Sequence, residues 1–393
     1  MGSSLLSTLL LLLVGALVAR LTATRLERWA VPAIVLELLV GFLLGNTLVP
    51  FGRIQALSGI TELGVLTLFF QVGLEVRGGL LGSRPAAVLR TVLLSALTPL
   101  LAWWPLQQGF GLSTATTLLC VAVLSATGTG VTLRALAQAS ALKTPSGRLL
   151  VGVSVLDDLP AIALLTLSVQ LGASATAAPP QTLGVLPPGL GAALGLSVAL
   201  ASFPASRWWL RRHGAWRPGI LGVLLLLIGC SWFGEVTGLT SLLGALWGGV
   251  LLSRLAPMPE GSAEAAELGG RLALLSDVFL PLYFISVGMR IQANTLVQPQ
   301  AWALALLLLL LAISCKLICG LGISRADQAA GIDRWVVVFG LIPRGLPGLV
   351  FASTALGAGL ITPLQFSSLV LMVSCTTVVG LLLLARRLQR SGC

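Results

Sequence analysis

Charge is scarce in this chain: only 9% of its 393 residues are charged, 56% are hydrophobic, and the mean hydropathy is +0.99. A water-soluble domain carries about a quarter charged residues, so this scarcity excludes an ordinary soluble fold. Histidine is nearly absent, with His213 alone, which leaves a histidine-ligated metal centre without ligands. The six cysteines form no Cys-x-x-Cys pair, and we expect no cofactor.

Apolar runs of roughly 17–25 residues, the length that crosses a bilayer core, fill the chain instead. They predict an all-α polytopic membrane protein, a single transport domain over residues 1–393, with no soluble regulatory domain expected after the last run. The thirteen predicted spans cover about residues 4–20, 32–50, 58–75, 87–106, 113–136, 146–171, 183–204, 218–236, 239–256, 268–289, 299–322, 334–358 and 363–385.

The basic residues give the predicted orientation. Of the 24 Lys and Arg residues, 20 fall in alternate connections, and only Arg53 and Arg290 fall in the opposite ones. Positive charge accumulates in cytoplasmic loops. We therefore predict a bacterial-type inner or plasma membrane protein, with its N-terminus outside and its C-terminus in the cytoplasm. This topology accounts for the net charge of +11 without a nucleic-acid partner.

Glycine and proline interrupt two spans, at residues 124–132 in the fifth and at residues 341–349 in the twelfth. Unwound backbone at membrane depth is tolerated where it is buried or lines a cavity. Paired interruptions at corresponding positions indicate a transport site between inverted repeats. The spacing predicts two six-helix repeats, about residues 1–171 and 218–386, joined by a linking helix at about residues 183–204.

Asp157 and Asp158 lie side by side within the apolar sixth span. A charge at that depth costs at least a few kcal/mol, and each carboxylate disfavours ionisation of the other. No packing role needs this arrangement, so we predict that the pair is functional. Adjacent helical residues point about 100° apart and need different partners. Ser154, one turn before Asp158, is positioned to complete an oxygen shell.

Lys316 is the predicted countercharge of Asp157. It lies in an apolar span, and Lys143 is the only other lysine of the chain. A buried lysine loses its proton more readily than an arginine, which suits proton coupling; the alternative is that Lys316 snorkels to an interface. Arg344, in the second interruption, is expected to bind either half-helix carbonyls or a carboxylate. Glu37 is a weaker intramembrane candidate.

Several motifs follow one another along the chain: Pro32 to Gly45 with Glu37 and Gly41 between them, Leu68–Glu75, Leu124–Thr127, Asp157-Asp158, Pro281–Met289, Lys316, and Pro343-Arg344-Gly345. In this order and spacing they resemble the monovalent cation:proton antiporters. That family includes bacterial sodium/proton antiporters and the membrane domain of potassium efflux antiporters.

The resemblance implies a homodimer with a dimerisation domain and a moving core, in which two broken helices cross near the ion site. It makes Asp158 the cation-binding aspartate, pairs Asp157 with Lys316, and puts Thr127 in the first unwound segment, which also contains Thr129. The Asp-Asp form is associated with electrogenic exchange of two protons for one sodium ion. The family often has glutamate where this chain has Leu346.

We therefore predict a transporter, and no enzyme, that exchanges Na⁺ or another monovalent cation for protons. Asp158 binds the proton or the metal ion in turn, with Ser154, Thr127 or water as further ligands. K⁺/H⁺ exchange, sodium-coupled symport of an organic anion and a cation channel remain alternatives. An intramembrane aspartyl protease needs two aspartates face to face, which adjacent residues of one helix do not provide.

Overall fold

The computed structural model describes residues 5–25, 32–49, 51–54, 57–75, 84–139, 141, 144–176, 188–216, 219–237, 239–257 and 263–390. No strand occurs within these ranges, and the predicted all-α class is confirmed. The α-helices are α1 (Leu5–Arg25), α2 (Ala33–Thr47), α3 (Ser58–Glu75), α4 (Pro85–Leu97), α5 (Thr114–Ser125), α6 (Thr129–Gln138), α7 (Pro145–Thr176), α8 (Pro188–His213), α9 (Ile220–Val236), α10 (Ser241–Leu255), α11 (Ala263–Met289), α12 (Ala293–Leu296), α13 (Pro299–Cys319), α14 (Arg325–Ala329), α15 (Arg334–Leu341), α16 (Gly345–Gly357) and α17 (Pro363–Arg390).

Each predicted span overlaps one of these helices or a consecutive pair of them. Four shorter apolar helices, α2, α3, α9 and α10, accompany the long ones. The number of helices that cross the membrane stays a prediction. Eight helical stretches in the described part of the chain are long and apolar enough to span a bilayer: Leu6–Arg25, Pro85–Gly109, Thr114–Thr132, Pro145–Gly172, Glu267–Met289, Pro299–Gly322, Arg334–Gly357 and Pro363–Arg390.

Contacts divide the chain into two compact units. In the second unit α10 packs against α3 and α9. Glycine permits direct backbone contact there, since a Cβ on Gly249 would lie 2.0 Å from the Phe70 carbonyl oxygen. The predicted inverted repeats are a different division of the chain and stay a prediction. The first unit comprises Met1–Ala56, Gly79–Ser168 and Phe284–Cys393, and the second comprises Leu57–Gly78 and Val169–Tyr283.

Both predicted interruptions are present in the first unit. α5 ends at Ser125 and α6 begins at Thr129, with extended backbone between them. Likewise α15 ends at Leu341 and α16 begins at Gly345. Pro343 has no amide hydrogen to donate to a helix, which explains why the second interruption falls there. Both segments are deeply buried, as unwound backbone in a membrane protein requires.

The two interruptions meet in a direct backbone contact. The Gly128 amide donates to the Pro343 carbonyl oxygen at 2.6 Å. A Cβ on Gly128 would lie 3.0 Å from the Gly345 nitrogen, and Gly345 itself has a φ of +42°, which favours glycine. Behind the crossing, the Pro343 ring packs against Gly380 of α17, where a Cβ would lie 2.6 Å from Pro343 Cδ. The predicted crossing of two broken helices is thus confirmed.

The fourth predicted span is less regular than expected. After α4 the backbone tightens into a 3₁₀ turn, Thr98–Ala102, and later forms a π-helical turn, Pro105–Gly109. Because Pro99 has no amide hydrogen, the Ser95 carbonyl has no partner four residues later. It accepts instead from Ser125 Oγ of α5 at 3.5 Å. The distortion thus links α4 to the first interruption.

The close approach at Gly128 predicts a position-specific effect of one methyl group. Gly128→Ala forces the crossing apart and lowers the free energy of unfolding by about 1–3 kcal/mol, as overpacking does in well-packed cores. Gly130→Ala is the matched control, because its Cβ would meet only Leu346 Cδ1, at 3.6 Å. Thermal unfolding of the purified protein measures the difference. Equal midpoints for the two variants would contradict this account.

Candidate ion-binding site

A fully buried ion pair lies beside the helix crossing. Lys316 Nζ of α13 is 2.7 Å from Asp157 Oδ2 of α7, and both side chains are 0% exposed. The same carboxylate oxygen accepts from Thr127 Oγ1 and from Ser95 Oγ, each at 2.7 Å. Lys316 Nζ also donates to Ser95 Oγ. The structure thus brings Asp157, Lys316 and Thr127 together, and the alternative that Lys316 snorkels to an interface is wrong.

Ser95 is the member of this cluster that the sequence did not single out. Its hydroxyl lies between the two charges, because it donates to Asp157 and accepts from Lys316. One serine within an apolar helix is an ordinary feature. The signal in the sequence was indirect: Pro99, four residues later, distorts α4 at this depth.

Lys316 and Arg344 also neutralise the end of a half-helix. The last carbonyls of an interrupted helix have no intrahelical partner and carry partial negative charge. At the end of α5, Lys316 Nζ donates to the Ser125 carbonyl at 2.8 Å. Arg344 Nη1 donates to the Ala126 carbonyl at 2.9 Å and to that of Leu124.

Arg344 takes the first of its two predicted roles. Its Nη2 donates to a third backbone carbonyl, that of Ala312 in α13, at 3.0 Å. Within the described ranges no carboxylate forms a salt bridge with the guanidinium, which is 0% exposed. Leu346, where the resemblance implied a glutamate, is 8% exposed and lies next to Gly130 at the start of α6. Arg344 therefore holds the crossing together through backbone acceptors.

Asp158 is buried but weakly bonded. It is 1% exposed, and its carboxylate accepts from the Thr127 amide at 3.5 Å and from Thr129 Oγ1 at 3.4 Å. Both distances lie beyond the usual 2.7–3.2 Å for such bonds. α6 begins at Thr129, so the positive end of that half-helix faces the carboxylate. Asp158 thus keeps lone pairs available for a proton or a cation.

Two further predicted residues are placed differently. Ser154 Oγ donates to the Leu150 carbonyl of its own helix at 2.7 Å rather than to Asp158. Its carbonyl oxygen accepts from Thr129 Oγ1 at 3.4 Å, so Ser154 contacts the site through its backbone. Glu37 is buried in α2, 3% exposed, and takes no part in the hydrogen bonds of the cluster.

The oxygen atoms around Asp158 fit one small, hard cation. Carboxylate, hydroxyl and carbonyl oxygens are the ligands of such ions, and Asp158, Thr129 and Ser154 supply one of each. Across the residues described here, no group of three or more His, Cys, Asp or Glu side chains is arranged to hold a metal ion. Buried ionisable groups beside two crossed, interrupted membrane helices are typical of secondary transporters.

Comparison with known proteins agrees with that class. The model of the family described as "Sodium/hydrogen exchanger, transmembrane" matches residues 9–388. The high-affinity Na⁺/H⁺ antiporter NhaS3 of Synechocystis is 26% identical over 341 residues, 83% of this chain and 70% of the relative. The Na⁺/H⁺ antiporter of Enterococcus hirae is 26% identical over 385 residues, 94% of this chain and 97% of the relative.

A solved structure shares the fold. The sodium proton antiporter MjNhaP1 of Methanocaldococcus jannaschii superposes with a TM-score of 0.65 over 95% of both chains, at 18% identity. The chain belongs to the sodium/hydrogen exchanger family and is a multi-pass membrane protein. The resemblance to cation:proton antiporters that the motifs indicated is confirmed.

The buried ion pair predicts strong coupling between two substitutions. Asp157→Asn leaves the Lys316 charge without its partner and lowers the free energy of unfolding by about 3–5 kcal/mol. Lys316→Met alone leaves Asp157 uncompensated and has a similar cost. The double variant removes both charges, so it is less destabilised than the sum of the single variants. Thermal or denaturant unfolding of the unmodified protein, the two single variants and the double variant gives the coupling energy of this double-mutant cycle.

A double-mutant cycle that neutralises both members of an exposed salt bridge is the control. Arg271 and Glu267 form an i,i+4 salt bridge on the surface of α11, with side chains 51% and 62% exposed. Exposed pairs contribute roughly 0–1 kcal/mol, so that cycle should give a coupling energy near zero. Additive effects at Asp157 and Lys316 would contradict a tight buried pair.

Proposed function

We propose that this protein is a secondary active antiporter that exchanges Na⁺, or another monovalent cation, for protons across a membrane, and that it has no enzymatic activity. The observation that carries the proposal is the contrast between the two aspartates. Asp157 Oδ2 is held by a lysine and two hydroxyl groups, although Asp157 Oδ1 has no partner in the described part of the chain. Asp158, equally buried, accepts two hydrogen bonds from the described residues, and both are long. One acid is committed to the protein, and the other is available to a ligand.

Competition at Asp158 explains obligatory exchange. A buried carboxylate without a counterion is costly, so the transporting state carries either a proton or a metal cation on Asp158. The hydroxyl of Thr129 and the carbonyl of Ser154 lie beside it as further oxygen ligands. Because a proton and a cation cannot occupy Asp158 together, the Na⁺ concentration that gives half-maximal exchange should rise as the pH is lowered.

Lys316 is the proposed source of a second proton. The cluster has the same net charge with a proton on Asp158 as with Na⁺ on it, so exchange by Asp158 alone moves no net charge. Electrogenic exchange needs another group that changes its protonation, and lysine does so more readily than Arg344. We propose that cation binding at Asp158 loosens the Asp157–Lys316 pair, which lets Lys316 release its proton.

The setting of the transporter is also proposed. The chain is a homodimer in an inner or plasma membrane, with its N-terminus outside and its C-terminus in the cytoplasm, as the distribution of basic residues suggests. Exchange is proposed to need no cofactor besides the transported ions. The oxygen ligands at Asp158 accept K⁺ and Li⁺ as well as Na⁺, so K⁺/H⁺ exchange is the second candidate, and parallel flux assays with each cation distinguish them.

Asp158→Asn tests the shared site directly. An amide cannot release a proton or neutralise a cation, so pH-driven Na⁺ flux into proteoliposomes should fall to the rate of protein-free vesicles. Glu267→Gln is the matched control, because it neutralises an acid on the exposed surface of α11. It should retain the flux of the unmodified protein. Full exchange by the Asp158→Asn variant would contradict the assignment of Asp158.

The role of Lys316 predicts electrogenic transport. Exchange of two protons for one Na⁺ builds a membrane potential that opposes further exchange. The permeant anion thiocyanate collapses that potential, so it should speed Na⁺ flux by the unmodified protein. A vesicle set with an electroneutral ionophore controls for effects of thiocyanate on the membrane. A flux that is independent of potential would rule out the two-proton scheme while leaving exchange at Asp158 intact.

A further inference from the structure

A cavity of about 350 Å³ opens between the start of α15 and the end of α17, away from the ion site. Both helices belong to the first unit. Its wall is apolar on one side and basic on the other, and neither part has a role in the exchange described above. The lining residues are Trp335, Phe339, Leu383, Arg386, Arg387 and Arg390.

Helical periodicity explains why these residues converge. Trp335 and Phe339 are one turn apart on α15, and their rings lie 5.4 Å apart. On α17, Leu383, Arg387 and Arg390 are spaced by four and three residues and share one face, and Arg386 lies on the same face. An aromatic wall thus faces a basic edge.

The basic edge has more positive charge than its protein partners neutralise. Arg387 Nε is bonded to Asp333 Oδ2 at 2.8 Å, and Asp333 in turn accepts from the Trp335 amide at 2.9 Å. Arg387 is therefore held by the protein. Arg386 and Arg390 are exposed, and in the described portion of the chain neither forms a salt bridge with a carboxylate. Two arginine charges remain available to a ligand at the rim.

The position along α17 indicates which ligand reaches this cavity. α17 has 28 residues and is about 42 Å long at 1.5 Å per residue, whereas the hydrocarbon core of a bilayer is about 30 Å thick. Arg387 and Arg390 lie in its last turn and Arg386 directly before that turn, so we expect all three at the depth of the lipid headgroups. Tryptophan is enriched at the same depth, and arginines near a membrane surface attract anionic lipids.

We propose that this cavity binds the headgroup of an anionic phospholipid. Its phosphate lies between Arg386 and Arg390, which donate to the phosphate oxygens, and its glycerol and upper acyl segments contact Trp335, Phe339 and Leu383. Arginine suits this role because its planar fork donates to two phosphate oxygens at once. The volume accommodates a headgroup rather than a whole lipid, with the remaining acyl chain in the bilayer.

Phosphatidylglycerol is the probe for this site. Added to the full-length protein in neutral detergent, it should raise the unfolding temperature and give a lipid-bound peak in native mass spectrometry. Phosphatidylcholine and inorganic phosphate, compared at equal ionic strength, should do neither. An equal response to phosphatidylcholine would overturn the choice of an anionic lipid, and an equal response to inorganic phosphate would overturn the lipid contact.

The double variant Arg386→Gln/Arg390→Gln should weaken phosphatidylglycerol binding about tenfold or more, given the usual attraction of each basic residue for anionic lipid. The matched control is Arg207→Gln/Arg211→Gln, which removes two exposed arginines from the last turns of α8. It should bind as the unmodified protein does. Equal losses in both variants would mean a general attraction to charge and would overturn the site.

An aromatic variant tests the other wall of the cavity. Trp335→Ala should also weaken phosphatidylglycerol binding, because it removes the surface for the acyl segment while leaving every arginine in place. Trp335 is 44% exposed, so the variant should fold. Undiminished binding would overturn the acyl contact. Because neither helix end takes part in ion binding, these results are independent of Na⁺ flux through Asp158.

Discussion

The ammonium group of Lys316 is the interaction on which the site depends. It contacts the Asp157 carboxylate, the Ser95 hydroxyl and the Ser125 carbonyl at once, so a single charge joins α13, α7, α4 and the end of α5. Each of these contacts compensates a different cost of the low-dielectric interior. The carboxylate would otherwise be a bare ion, and the carbonyl an orphan acceptor at the end of an interrupted helix. The interruption after α5 is tolerated in the buried interior because the Lys316 ammonium group donates to a carbonyl at the end of that helix.

Arg344 completes the compensation at the same helix end. In the described part of the chain its guanidinium donates to three backbone carbonyls, two of them in the interrupted segment that its own segment crosses. These carbonyls bind both Nη atoms of Arg344, whereas its buried Nε has no partner in the described part of the chain. The apolar Leu346 lies against Gly130, where α6 starts. Lys316 and Arg344 stabilise the crossing by donating to backbone carbonyls. The positive N-terminal end of α6 faces Asp158.

The contact between Gly128 and Pro343 gives this electrostatic arrangement its geometry. At Gly128 the backbone of one interruption comes within hydrogen-bond distance of the other, which the missing side chain permits. The Thr127 amide and the Thr129 hydroxyl, the two Asp158 donors among the described residues, flank Gly128, so a shift of the crossing would also move these donors. Steric fit at the crossing and the availability of the carboxylate are thus two consequences of one contact.

The amino-acid sequence was enough to predict the helices and the candidate ionisable residues. Apolar runs gave the helices, Gly and Pro gave the interruptions, and Asp157, Asp158 and Lys316 were conspicuous because charge in an apolar span is costly. The hydrogen-bond partners of these residues became clear only in the folded chain. Ser95 has only the indirect signal of Pro99 in the sequence, since its role comes from α4 passing beside the Asp157–Lys316 pair. Ser154 turned to its own helix because the Leu150 carbonyl lies one turn away. Arg344 likewise donates to carbonyls, the first of its two predicted roles. Hydrogen-bond partners depend on distances between segments of the fold, and the spacing of residues along the chain does not give those distances.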